Sequence, residues 1–358
     1  SGTAADLQLD LLVNQGTTQI THPAADDAAP TVAVTPSPVG TTNAASSTVT
    51  FTASDSSGLD TATDVYERRI GTLSSSDGVA AGTCASFGAF AAITLDSGTE
   101  ASGSFAQTLT TNECYEFRYT ISDLAGNSTT TTSAQVRSDQ TGPSAPTPSF
   151  TESDADSFSA GTRLFLRTSG TGATASNGGT FTISSSPTDA NSGVQTVAYP
   201  SLTASNITGG SGSQATPFTS GTYTWSNADA AAVTAATVTA TNYAGGTNTA
   251  TFDITLDNTA PTGGGLVLSG TSSGSYDSDG GFTVTRTDYA ETASATASGL
   301  ASTLLTREDG TLSGDACTSF GAPSAPIAGS PAPTGLTTGC YRYTLTGTDN
   351  VGNTATST

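Results

Sequence analysis

Lysine and methionine are absent from this chain, histidine and tryptophan occur once each, and only 11% of the 358 residues are charged. Each absence excludes a chemistry. Without lysine there is neither a phosphate-binding P-loop nor a Schiff base, and one histidine with no Cys-x-x-Cys pair cannot build a transition-metal site of the usual kind. The nine cationic residues, all arginine, face 30 acidic ones for a formal charge of -21. Such a field repels nucleic acids and anionic lipid heads, which are bound through clustered Lys and Arg, so neither is expected as a partner. No apolar run approaches the ~20 residues that cross a bilayer, and no basic stretch leads into an apolar one. The expectation is a soluble chain without membrane insertion, any leader or anchor lying outside it.

What the chain does have is hydroxyl and glycine. Thr and Ser make up a third of it and Gly contributes 40 residues. Threonine suits a pleated strand with one wet face, so an all-β architecture is expected and helices are not. At ~100 to 150 residues per domain the length allows two to four domains.

Overlaying the chain on itself gives three repeats. A proline-bearing boundary recurs as Asp27-Ala28-Ala29-Pro30, Asp139-Gln140-Thr141-Gly142-Pro143 and Asp257-Asn258-Thr259-Ala260-Pro261, the prolines lying 113 and 118 residues apart. A small turn follows each: Ser57-Gly58-Leu59, Ser192-Gly193-Val194, Ser298-Gly299-Leu300. Late in the first and third repeats an alternating stretch starts at a cysteine. Cys114-Tyr115-Glu116-Phe117-Arg118-Tyr119-Thr120-Ile121 leads to Asp123-Leu124-Ala125-Gly126-Asn127, and Cys340-Tyr341-Arg342-Tyr343-Thr344-Leu345 leads to Asp349-Asn350-Val351-Gly352-Asn353. Period-2 alternation marks strands with one buried face: Tyr115, Phe117, Tyr119 and Ile121 in the first, Tyr341, Tyr343 and Leu345 in the third. The middle repeat offers Thr234, Ala236, Val238 and Ala240 before Asn242-Tyr243-Ala244-Gly245-Gly246. The Asp-x-x-Gly-Asn segments read as tight turns, where Asn and Gly tolerate positive φ.

Repeats one and three share Gly-Thr-Leu-Ser (71–74, 310–313) followed by Cys-x-Ser-Phe-Gly (84–88, 317–321), with six extra residues in the first loop. The cysteines therefore occupy equivalent places, and two disulfides are expected, Cys84 with Cys114 and Cys317 with Cys340, in an oxidising compartment. Short strands separated by Gly, Ser, Asn and Pro turns over ~110 residues argue for Greek-key sandwiches. The ordered set of turn, aromatic strand, Asp-x-x-Gly-Asn and Asp-x-Thr-x-Pro linker resembles the bacterial immunoglobulin-like repeat domains of extracellular surface proteins. The resemblance implies tandem immunoglobulin-like sandwiches, extracellular or cell-surface display and adhesive or mechanical roles, with no catalytic residues. The division expected is an extended N-terminal arm over 1–22 and three domains over 23–140, 141–258 and 259–358.

The ends depart from the repeats. Asp123 and Asn242 precede the next boundary proline by 20 and 19 residues, a spacing that from Asp349 would run past Thr358 and leaves the last strand of the third domain incomplete. Before the first boundary, Leu7, Leu9, Leu11 and Val13 alternate as one apolar face. An unpaired edge invites strand addition, and a head-to-tail contact that does not close builds a filament. The expectation is therefore a filament or pilus-like subunit donating this N-terminal strand to the third domain of the next copy. The alternatives are a stalk segment of a large adhesin, with the arm lying on its own domain or the ends arbitrary, and, more distantly, an accessory glycan-binding module of a secreted enzyme.

No enzyme is expected. Gly270-Thr271-Ser272-Ser273-Gly274 matches the Gly-x-Ser-x-Gly elbow in letters, but the elbow needs a histidine base, and His22 lies in the N-terminal arm. No cofactor is required. Calcium takes six to eight oxygens, which carboxylates at the linkers, Asp27, Asp139 and Asp257, could supply with backbone carbonyls. Asp55, Asp60 and Asp64 cluster beside the first Ser-Gly-Leu turn. No complete ligand loop is visible, and solvated turn aspartates account for the same residues. Trp225 reads as a core filler rather than a sugar platform. Asn127 and Asn206 begin formal N-glycosylation sequons.

Overall fold

The computed structural model describes residues 26–169, 178–226, 230–271, 276–278, 281–330 and 336–358. It is an all-β molecule of tandem immunoglobulin-like sandwiches; the described residues include no α-helix and one short 3-10 turn, Thr203–Ser205. Leu7, Leu9, Leu11 and Val13, expected as a donor strand, and His22 lie outside the described residues.

In the first sandwich one sheet runs Thr31–Ser37, Ser46–Ser54, Ser102–Thr108, Ser97–Thr99, and the other Gly40–Thr42, Val136–Ser138, Glu113–Asp123, Leu59–Ser74, Thr83–Ala85. Alternation puts Val49, Phe51, Tyr115, Phe117, Tyr119 and Ile121 between the sheets at 1% exposure or less, while their threonine and arginine neighbours face water. Tyr66 and Tyr119 stack at 4.4 Å with Phe51 edge-on to both, a geometry worth about 0.5–1.5 kcal/mol per pair beyond area burial. The last strand is broken. Ser128–Thr132 covers Arg118–Ser122, and Val136–Ser138 covers Glu113–Tyr115 while also pairing in parallel with Gly40–Thr42.

The second sandwich repeats the plan, with sheets of four and six strands. Its core gathers Leu164, Leu166, Phe181, Ile183, Tyr223, Trp225, Phe252 and Ile254, so the tryptophan is buried at 3% exposure. Here Arg163–Leu166 pairs in parallel with Asp253–Leu256. Thr234, expected in the core, is exposed instead. The register slips between Val233 and Ala236, where Ala235 takes φ +52° and donates its N–H to Asp253 Oδ1 at 2.9 Å, so Val233 packs on the core in its place. A one-residue slip turns every side chain to the other face, and a bulge localises that change.

The third unit keeps a two-stranded sheet, Gly265–Ser269 with Thr283–Thr287, and a four-stranded one, Ala316–Thr318, Leu300–Ser313, Cys340–Asp349, Thr354–Ser357. Its fully buried cluster consists of Tyr289, Leu305 and Leu345; Tyr343 is only half-buried, and Val267, Leu268 and Leu304 are exposed.

Both disulfides are formed, Cys84–Cys114 and Cys317–Cys340. Each lies within one sheet in the same register: Cys84 opposes Leu73 and Cys114 opposes Gly71, as Cys317 opposes Leu312 and Cys340 opposes Gly310. The shared glycine has a steric reason. A Cβ on Gly71 would sit 2.6 Å from Ala85 O and 2.9 Å from Phe87, and one on Gly310 2.8 Å from Phe320, so only glycine lets the ring fold over the strand. Arginine then lies over the ring: Arg69 at 4.7 Å from Phe87 and Arg342 at 4.3 Å from Phe320.

Candidate functional site at the domain joints

The three marks that recur in the sequence meet in space. At each joint the boundary aspartate, the residues beside the Ser-Gly turn and the first residue of the Asp-x-x-Gly-Asn turn converge, because the turn's strand ends where the linker enters the next sandwich. Asp26, Asp55 and Asp123 present carboxylate oxygens within 4.8 Å of one another at the entry to the first sandwich, and Asp257, Glu291 and Asp349 do so between the second and third. The linker residue at the first joint is Asp26, not Asp27. Asp27 is exposed, while Asp26 accepts the Ser56 hydroxyl at 3.2 Å and its backbone carbonyl accepts Asn127 Nδ2 at 2.9 Å.

The turns hold their own carboxylates. Asp123 receives the Asn127 N–H and side-chain amide at 2.8 Å each; burial opposes its ionised form, but those bonds, with others from Ala125 and Gly126, outweigh it and keep its pKa below the usual range. Asp349 receives the Asn353 N–H and Nδ2 at 2.7 Å each, yet burial dominates and, with the charge of Asp257, raises its pKa. Glu291 is pushed up to about 7, first by burial and then by the charges of Asp257 and Asp349. Two like charges at this separation repel by about 3 kcal/mol in an effective dielectric of 20. None of these carboxylates takes part in any ion pair found among the described residues, which use other acids.

The middle joint solves the same problem differently. Asp139 and Asp189 are buried there, and the third position is Asn242. Its Nδ2 donates to Asp139 Oδ2 at 3.2 Å and Asp189 Oδ2 at 2.9 Å, while its Oδ1 accepts the N–H of Gly246 at 2.7 Å. Asp139 further accepts the Ser192 hydroxyl at 2.6 Å and the Thr141 hydroxyl at 2.6 Å. Burial works against its charge, but these donors prevail and hold its pKa below the usual carboxylate range.

Two further braces cross the joints. The six-residue excess in the first domain's loop reaches the second domain: Ser75 N–H donates to Ala190 O at 2.8 Å, Gly82 N–H to Ser192 O at 2.9 Å, Asp189 N–H returns to Gly78 O at 2.8 Å, and Val79 packs on the second core. From the second domain, Arg167, buried and paired with Asp156 through Nε at 2.8 Å, donates to Gly352 O in the third.

Of the remaining candidates, Asn206 is exposed, whereas Asn127 spends its side-chain amide on Asp26, Ala28 and Asp123. The serine of Gly270–Gly274 lies outside the described residues. Asp55, Asp123 and Asp257 were visible in the sequence as turn and linker aspartates. Asp26, Asp189 and Glu291 were not singled out, Glu291 because it stands seven residues before its Ser-Gly turn where Asp55 stands two before.

No protein-family model and no curated protein sequence matches the chain. Among solved structures it is similar to the fibronectin(III)-like modules of CbhA from Clostridium thermocellum, at 12% identity over 64% of this chain and 95% of that one, TM-score 0.27. It is also similar to a structure from a 1.5-MDa bacterial ice-binding adhesin, at 13% identity over 93% and 96% of the two chains, TM-score 0.33. A third is α-2-macroglobulin of Escherichia coli, at 8% identity over 92% of this chain and 23% of that one, TM-score 0.24.

Proposed function

We propose that this is a non-catalytic, extracellular structural protein, a subunit of a surface filament whose third sandwich accepts a β-strand from the arm of a neighbouring copy. The observation that carries the reading is the thin core of the third unit, whose buried cluster among the described residues is Tyr289, Leu305 and Leu345, against the aromatic core of the first. An added strand would bring apolar side chains to it, and the alternating Leu7, Leu9, Leu11 and Val13 have the pattern to do so. Two disulfides and the absence of lysine-rich binding surfaces accord with display outside a cell.

A second reading, a stalk segment of a large surface adhesin, is favoured by the hydrogen-bonded joints, which would keep successive domains in fixed register. For the accessory glycan-binding reading Trp225 is in the core and offers no platform, whereas Tyr276 stays on the surface. The test compares residues 1–358 with residues 21–358 by negative-stain microscopy and light scattering. Fibres from the full chain alone support strand donation. Monomeric particles from both remove it and leave the stalk.

A further inference from the structure

We propose that the joint between the second and third domains binds a divalent cation of the calcium class through Asp257, Glu291, Asp349 and the Ser298 hydroxyl, and that Asn242 does that ion's work in the preceding joint with an amide. The inference is independent of the filament reading.

Comparison of the two joints supplies the argument. In the middle joint the third corner is Asn242, whose Nδ2 donates to Asp189 Oδ2, to Asp139 Oδ2 and to the Thr141 carbonyl. In the next joint that corner is Asp349, which brings a third negative charge and no donor toward Asp257 and Glu291. A cation standing where the amide hydrogens stand would neutralise that cluster, and among the described residues no arginine pairs with these three acids.

A second observation is independent of the carboxylates. Ser192 and Ser298 occupy the same turn position, and each donates its backbone N–H to the linker aspartate, Ser298 to Asp257 Oδ2 at 2.6 Å. The Ser192 hydroxyl is bonded to Asp139, whereas the Ser298 hydroxyl, on a residue 2% exposed, has no hydrogen-bond partner at all. A buried hydroxyl left unbonded keeps the full penalty of its desolvation. As a cation ligand its lone pairs are used. The donor set is oxygen throughout, with two near-fixed carboxylates, one from a more exposed glutamate and a neutral hydroxyl. That suits a hard ion with a large and adaptable coordination shell, calcium in preference to magnesium or zinc. Asp26, Asp55 and Asp123 offer oxygens of the same kind at the entry to the first domain, so the test is framed as differences in ion count.

The full chain, stripped with chelator and dialysed, would be titrated with calcium chloride by calorimetry, with magnesium chloride as the second arm and circular dichroism confirming the fold. Asp349→Asn, which installs the middle joint's residue, should lower the number of calcium ions bound per chain by one. Asn242→Asp should raise it by one. Binding should fall in the ~0.1–1 mM range typical of extracellular calcium modules, and be weaker for magnesium. An unchanged ion count in Asp349→Asn overturns the site, and no added ion in Asn242→Asp overturns the equivalence of amide and cation. Equal affinity for magnesium overturns the assignment to calcium.

Discussion

The first and third domains share a disulfide register, a glycine under a phenylalanine ring and an arginine above it, yet the first buries a stacked aromatic core while the third closes on Tyr289, Leu305 and Leu345. The difference teaches that the recurring block, Gly-Thr-Leu-Ser with Cys-x-Ser-Phe-Gly, stabilises one end of one sheet and leaves core formation to the long central strand. Where that strand reads Tyr-x-Phe-x-Tyr-x-Ile the sandwich fills. Where it reads Tyr-x-Tyr-x-Leu, with glycine at 347, it does not.

That contrast can be broken deliberately. Phe117→Ala, removing a ring at 0% exposure, should cost the first domain about 3–5 kcal/mol, read as a lower urea midpoint for loss of amide protection in Glu113–Asp123. Its counterpart Tyr343→Ala should cost the third domain much less, since that ring is only half-buried. Next in size, replacing both cysteines of a pair by serine should cost about 3–4 kcal/mol in either domain for loops of 30 and 23 residues. The same loss should unfold the third domain at a lower temperature than the first, because less core remains; calorimetry would separate the two transitions. Shortening the first domain's loop by removing 76–81 should leave the first core intact, take Val79 off the second core and abolish the bonds that cross the joint, each worth about 0.5–1.5 kcal/mol. The amides of Asp189 and Val194 should then exchange faster, with Phe117 unaffected.

The smallest effect is on pH. The Glu291 carboxyl titrates at about 7 in the folded chain against 4.5 for its ordinary value, so between those limits the native state holds the extra proton. Stability of the third domain without added metal should therefore fall as pH rises from about 4.5 to 7. A thermal melt in chelator should show a higher midpoint for that domain at pH 5.5 than at pH 8. The reverse order would mean that Glu291 is not desolvated beside Asp257 and Asp349.

Much of this was legible in the sequence. Alternation fixed the faces of Glu113–Asp123, and the matched cysteine blocks stated which pairs to join, since both are local or repeated patterns. The convergence of linker, Ser-Gly turn and Asp-x-x-Gly-Asn turn was not, because three short motifs up to about 100 residues apart carry no sign that they meet. The sequence points to Asp27 in place of Asp26 because the linker's phase depends on how the chain enters the strand at Thr31. The bulge at Ala235 displaced Thr234 for a similar reason: nothing in an Ala-Ala-Thr-Val run says where the register slips. The six extra residues of the first loop were countable, but their destination on the second domain depends on how the two sandwiches are docked.

The parallel pairing of Gly40–Thr42 with Val136–Ser138, and of Arg163–Leu166 with Asp253–Leu256, has a mechanical meaning. In each of these domains an early strand near the entering linker lies alongside the strand from which the chain departs. Tension between linkers therefore slides the two strands past each other, and their hydrogen bonds must break together rather than unzip one at a time.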